Sequence, residues 1–262
     1  MATPMPTEVA MTPPASGAAS EQGDDLALLG LLQLVSPALP IGAFAFSQGL
    51  ESAFELGWVT DEVSLGDWLE GVLIDGLTRC ELPVLSRLQA AWAAGDGEAV
   101  AEWDQWLAAN RETAELAAED ARLGASLARL LGSLELLPNS PSSSPSSSPS
   151  SSPSREVPAL LPGGAGYVTL FAWTAHVRGI TPRQALLGFA WAWLENQLAV
   201  ACKALPLGHT AAQRLVERLR PALLAAVDEA LSLSDDALGP ALPGLALASA
   251  LHETQYSRLF RS

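Results

Sequence analysis

The sequence predicts an all-α protein: one helical bundle of some eight to ten helices carrying a disordered Ser/Pro-rich insertion. Three observations predict it. No stretch alternates with period two for long enough to build a sheet. Several stretches repeat apolar residues at helical spacing, as Leu65, Trp68, Leu69, Val72, Leu73 and Leu77 do. The segment "PNSPSSSPSSSPSSSPSREVP" repeats Pro-Ser-Ser-Ser from Pro141 and offers nothing apolar to bury.

Taken in order, residues 1–23 are rich in Pro, Ala, Ser and Thr, lack periodicity and read as disordered. Asp24 or Asp25 then caps a short apolar helix, "LALLGLLQL", which must end near Pro37. "SPALPIGAF" reads as a tight loop. Ala43 to Leu56 reads as a second helix stopped by Gly57. Ser64 starts the clearest helix, with Asp67 completing a capping box. "LPVLSRLQAAWAAG" forms the next, with Pro83 near its start. Glu98 to Leu134 holds one or two amphipathic helices. Thr181-Pro182 opens a helix to about Leu205. Thr210 caps a further one, bent or broken at Pro221. The resulting division is a disordered segment 1–23 and a helical domain 24–262. The 138–158 linker interrupts that domain, and a tail covers 234–262.

The chain has 262 residues, 49% of them hydrophobic, enough for a sizeable core. Its formal net charge of −15 repels nucleic-acid phosphates and anionic lipid headgroups, which removes both from the expected partners. No Lys or Arg precedes Arg79, so the uncharged run Leu26 to Leu50 lacks the basic flank of a signal peptide. Pro37 and Pro40 interrupt that run, and Gln33, Ser36 and Gln48 dilute it below a membrane span. The expectation is a soluble, cytoplasmic protein. Cys80 and Cys202 both sit in apolar surroundings and read as buried thiols.

Several catalytic patterns are incomplete. "HETQY" opens like a zinc-protease helix, but Tyr256 stands at the second ligand position. "AFSQG" resembles a nucleophile elbow around Ser47 without a preceding strand. "GGAGYV" lacks the third glycine of a dinucleotide loop. Lys203 is the only lysine, so the chain holds no phosphate-binding Gly-Lys-Ser/Thr loop. His176, His209 and His252 lie far apart without cysteine pairs, so no permanent metal site is expected.

What remains is polar chemistry in apolar company. Between Arg183 and Lys203 the only charge is Glu195, beside Asn196 and Gln197, on a helix apolar nearly all round. Glu195 and Lys203 are eight residues apart, about 12 Å along one face, too far to pair directly. Glu51, in "FAFSQGLESAF", is a candidate partner for Lys203. The chain ends "HETQYSRLFRS", and Tyr, Arg and apolar residues of this kind are common anchors at protein interfaces. Preceded by Pro240, Pro243 and two glycines, this tail is expected to stand apart from the core and to order itself on a partner.

"SPALPIGAFAFSQGLE", "ENQLAVACKALPLGHTAAQ" and "HETQYSRLFRS" resemble, in the same order, three segments of the urease accessory protein F (UreF) family. The resemblance runs from about Leu26 to Ser262 apart from the Ser/Pro repeat. It implies an all-α, homodimeric, non-catalytic chaperone that binds the accessory protein UreD (also called UreH). It also implies that the chain recruits and regulates the GTPase UreG, and that the complex loads nickel into apo-urease. No cofactor is tightly bound in that picture, and nickel passes transiently. On family motifs sit Glu51, Lys203 and the tail. Tyr256, Arg258, Leu259, Phe260 and Arg261 are its partner-binding candidates. Glu51, Glu195, Asn196 and Lys203 are candidates for a polar passage or for GTPase regulation. Gln48 stands where some relatives carry His, and His209 where many carry Gln. The readings set against this one are a helical interaction scaffold unrelated to nickel and a hydrolase using Ser47.

Overall fold

A computed structural model describes residues 16–137, 164–205 and 207–262. The Ser/Pro repeat and residues 1–15 lie outside the described residues. Among the described residues there are ten α-helices and three short 3-10 turns, and no strand.

The order is α1 (Ser16–Leu34), a 3-10 turn (Ala43–Ala45), α2 (Leu50–Glu55), α3 (Glu62–Asp75), α4 (Glu81–Ala94) and α5 (Gly97–Ala109). Then come α6 (Ala114–Ser133), α7 (Tyr167–Val177), α8 (Pro182–Ala204), α9 (His209–Ser232) and α10 (Pro243–His252). At the centre, α4 packs against α5, α7, α8 and α9, while α3 lies on α9, α6 on α7 and α10 on α2. Aromatic edges lock the middle of this array. Trp92 of α4 meets Trp173 of α7 at 5.0 Å, and Phe171 of α7 meets Phe189 of α8 at 5.2 Å.

Most boundaries follow from local chemistry. Thr181 caps α8 reciprocally with Gln184, with Pro182 in the first turn where its missing N–H is no loss. The capping box of α3 is real but shifted: Asp61 is the cap and Ser64 its third residue, so the helix starts at Glu62 and not at Ser64. Asp24 and Asp25 lie inside α1, which already begins at Ser16. The expected helix over Ala43 to Leu56 is two pieces, because Gln48 and Gly49 both adopt positive φ, at 55° and 78°. Gly49 also sits where a Cβ would come within 3.2 Å of the Ser249 backbone nitrogen of α10. Helix α9 runs unbroken through Pro221, which is exposed, as is Glu217, whose carbonyl the proline ring deprives of its helical partner.

Two helices escape the sequence reading. In α7 every residue from Val168 to Ala175 is buried, so no polar face marks a period. Helix α10 hides behind Pro243, which occupies its first turn and does not break it. At the other extreme Leu26, Leu28, Leu29 and Leu32 of α1 are all exposed. No described helix is long and apolar enough to cross a membrane. Cys80 is buried as expected; Cys202 is only half-buried.

Candidate functional site

The chain's last residues do not stand apart from the core. They lie over the loop before α2, the start of α6 and the end of α8, and buried carboxylates hold them there. The expectation of a tail separated from the helices fails because α10 carries it back against α2.

Glu51, in the first turn of α2, is 4% exposed and gathers three donors and the ring of His252. Its Oε1 accepts the Leu259 backbone N–H at 2.6 Å, and its Oε2 accepts that of Phe260 at 3.0 Å. Gln255 Nε2 reaches Oε1 at 3.4 Å, and His252 Nε2 lies 3.1 Å from Oε2. His252, fully buried, turns its Nδ1 to Glu115 of α6 at 2.7 Å. Glu115 uses its other oxygen to accept from Arg258 at 2.7 Å. One chain of contacts thus runs from the tail backbone through Glu51, His252 and Glu115 to the tail's own arginine.

Beyond it, the Arg261 N–H donates to the Ala45 carbonyl at 2.8 Å, and the Ser47 N–H donates to the Ser262 carbonyl at 2.6 Å. Ser47 is fully buried and its hydroxyl also donates to that carbonyl. A nucleophile needs an exposed Oγ with a base in reach, so the hydrolase reading loses its residue. Ser262 Oγ donates to Glu119 of α6 at 2.8 Å.

Glu119 is the centre of a second polar cluster. It also accepts from Gln48 Nε2 at 2.7 Å. The Gln48 carbonyl oxygen in turn accepts from Trp193 Nε1 and Gln197 Nε2, each at 3.1 Å. Three hydrogen bonds hold a residue whose φ of 55° is costly for a side chain with a Cβ. Both direct donors to Glu119 are neutral, and burial pushes its carboxyl up to about 7.

Lys203 is exposed at the end of α8. Its ammonium lies 4.4 Å from the Phe260 ring centroid and 3.3 Å from the Leu259 carbonyl oxygen. The expected Glu51–Lys203 pair is therefore not direct: one grips the tail's N–H groups and the other its carbonyl and ring. Glu195 and Asn196 lie elsewhere, on the wall of a cavity between α1, α3, α6 and α8. Burial raises the Glu195 carboxyl despite a hydrogen bond from Trp191. Asn196 donates to the Phe46 carbonyl at 3.2 Å.

The tail candidates divide. Phe260 is buried in this chain's own core and Arg258 is paired with Glu115, while Tyr256, Leu259 and Arg261 face solvent. Sequence reading missed Glu115, Glu119 and His252. A signal was available: Glu115, Glu119, Leu123, Leu127 and Leu131 recur every four residues, which places two glutamates on the buried stripe of α6. Among the described residues no group of three or more His, Cys, Asp or Glu is placed to hold a metal ion.

The UreF family model matches residues 59–220, more than half of the chain. The chain belongs to the UreF family. It is 65% identical over 248 residues to the urease accessory protein UreF of Marinobacter nauticus, covering 95% of this chain and 100% of that one. It is 69% identical over 238 residues to UreF of Psychrobacter cryohalolentis, covering 91% and 95%. It is 66% identical over 241 residues to UreF of Pseudoalteromonas translucida, covering 92% and 97%. These alignments extend well beyond the matched 59–220 core of the UreF family.

Proposed function

We propose that this UreF chain is a non-catalytic chaperone of urease maturation. It binds the UreD/UreH accessory protein, recruits and regulates the UreG GTPase, and acts as a homodimer on apo-urease while nickel passes as cargo. The observation that carries this reading is the clamped tail. Main-chain hydrogen bonds to Glu51 and Ala45 fix its backbone, and Tyr256, Leu259 and Arg261 then project outward from a preformed frame. Preorganisation lowers the entropy lost on binding, so a docked segment makes a stronger contact than a free one with the same side chains. A fully exposed tyrosine beside an arginine and a leucine has the composition of an interface anchor. The relatives' name, urease accessory protein, supports urease as the client.

The test replaces Tyr256, Leu259 and Arg261 together by Ala, Ser and Ala. Capture of UreD/UreH and UreG should fall by roughly 100-fold or more, since anchors of these types cost about 2 kcal/mol each and do not add fully. Circular dichroism and melting temperature should not change, because none of the three side chains is buried. Capture at the wild-type level would show that recruitment lies elsewhere.

A further inference from the structure

The cavity between α1, α3, α6 and α8 has a volume of about 160 Å³. An apolar cavity of about 150 Å³ accommodates one benzene ring, so this one admits a ligand of roughly six to eight heavy atoms. Four aromatic side chains line it: Phe44, Tyr167, Phe189 and Trp193. Among them stand the carboxyls of Glu119 and Glu195.

The one guanidinium on the wall is held by two carboxylates, though its buried Nε has no partner. Arg111 pairs with Glu81 at 2.5 Å and with Asp120 at 3.1 Å; its charge is felt at Glu119 without a direct contact, and no described cation pairs with Glu195. Asn196 adds an independent sign. It is 8% exposed, its amide nitrogen is held by the Phe46 carbonyl, and its buried Oδ1 has no hydrogen-bond partner. A buried acceptor without a donor costs free energy that a ligand N–H removes. Aromatic faces attract cations, and carboxylates pair with them. Since no three metal-ligating groups converge among the described residues, the complement is an organic cation and not a bare metal ion.

We propose that this cavity is a binding site for a small primary ammonium with an apolar body, its N–H groups meeting Asn196 Oδ1 and the carboxylates of Glu119 and Glu195. The apolar body packs on Leu34, Leu39 and Leu123. The site adjoins the clamped tail through Glu119, which also accepts from Ser262, whereas Glu195 and Asn196 make no hydrogen bond to the tail.

Cyclohexylammonium is a suitable probe, with cyclohexanol and tetramethylammonium as controls, titrated calorimetrically into the full chain at pH 7.5. Saturable binding at one site is expected, with a rise in melting temperature. Cyclohexanol, which lacks the charge, and tetramethylammonium, which lacks an N–H, should each bind about tenfold more weakly or less. Glu195→Gln, at a half-buried position that leaves the fold intact, should weaken the ammonium about tenfold without changing cyclohexanol. Asn196→Leu should do the same where it folds. Equal affinity for cyclohexanol and cyclohexylammonium would overturn the proposal in favour of a plain apolar cavity. Absence of saturable binding, or a Glu195→Gln protein that binds unchanged, would overturn it as well.

Discussion

Two buried glutamates hold the end of this chain, and they do so differently. Glu51 accepts two backbone N–H groups and touches an imidazole and an amide, so its oxygens are filled by groups fixed in the fold. Glu119 accepts only from the Gln48 amide and the Ser262 hydroxyl, and burial raises its carboxyl to about 7. The first is a structural staple whose removal strands several donors at once. The second is a carboxyl whose charge state changes near neutral pH. A buried carboxyl is therefore defined less by depth than by how many strong donors reach it.

Removing the staple has the largest expected effect. Glu51→Ala leaves the Leu259 and Phe260 N–H groups without their acceptor. Each stranded buried donor costs about 1–3 kcal/mol, so the loss should be about 3 kcal/mol or more. The tail should detach, and limited trypsin should then cut after Arg258, which the wild-type clamp protects. If the variant resists trypsin like the wild type and its urea midpoint is unmoved, Glu51 is not what holds the tail.

The second test concerns pH. Glu119 has a folded-state pKa raised from 4.5 to about 7, so the folded chain binds the proton more tightly than the unfolded chain. The associated stability is fully present below about 4.5 and is lost as pH rises through about 7. By pH 8 the loss is on the order of 3 kcal/mol, taking 1.36 kcal/mol per pKa unit. Glu119→Gln keeps the size and an acceptor for Gln48 while removing the proton. Relative to this variant, the wild type should lose stability between pH 5 and pH 8 in urea titrations. Parallel pH courses for the two proteins would refute the assignment.

The smallest effect is expected at Lys203. Its side chain is exposed, and its contact with the Phe260 ring contributes about 0.5–1 kcal/mol. Lys203→Met keeps the apolar stem and removes the charge. The melting temperature should fall by a few degrees at most, while capture of UreG should fall further if the ammonium serves partners. A large thermal loss with normal capture would make Lys203 a structural residue.

Much of the fold was legible because amphipathic helices advertise themselves. The apolar positions of α3 and the Thr181-Pro182 opening of α8 are local signals, decided within one or two turns. Helix α7 was silent for the opposite reason: surrounded on all sides, it has no polar face. Of the candidate residues, Glu51, Lys203 and the tail do meet in space, whereas Glu195 and Asn196 line a neighbouring cavity that shares Gln48 and Glu119 with the tail's network.

By itself the sequence determined the helical class, the rough place of most helices, the family likeness and the clustering of aromatic and cationic residues at the tail. These depend on composition and on spacings shorter than a helix. Only the tertiary structure decided that the tail is clamped, that Phe260 is an internal anchor while Tyr256 is free, and that Glu119 and His252 are buried and Glu115 half-buried at its base. Those outcomes depend on residues some 140 to 215 positions apart brought within about 3 Å. No local pattern encodes such a meeting, because a buried carboxylate is tolerated only where distant donors arrive to satisfy it.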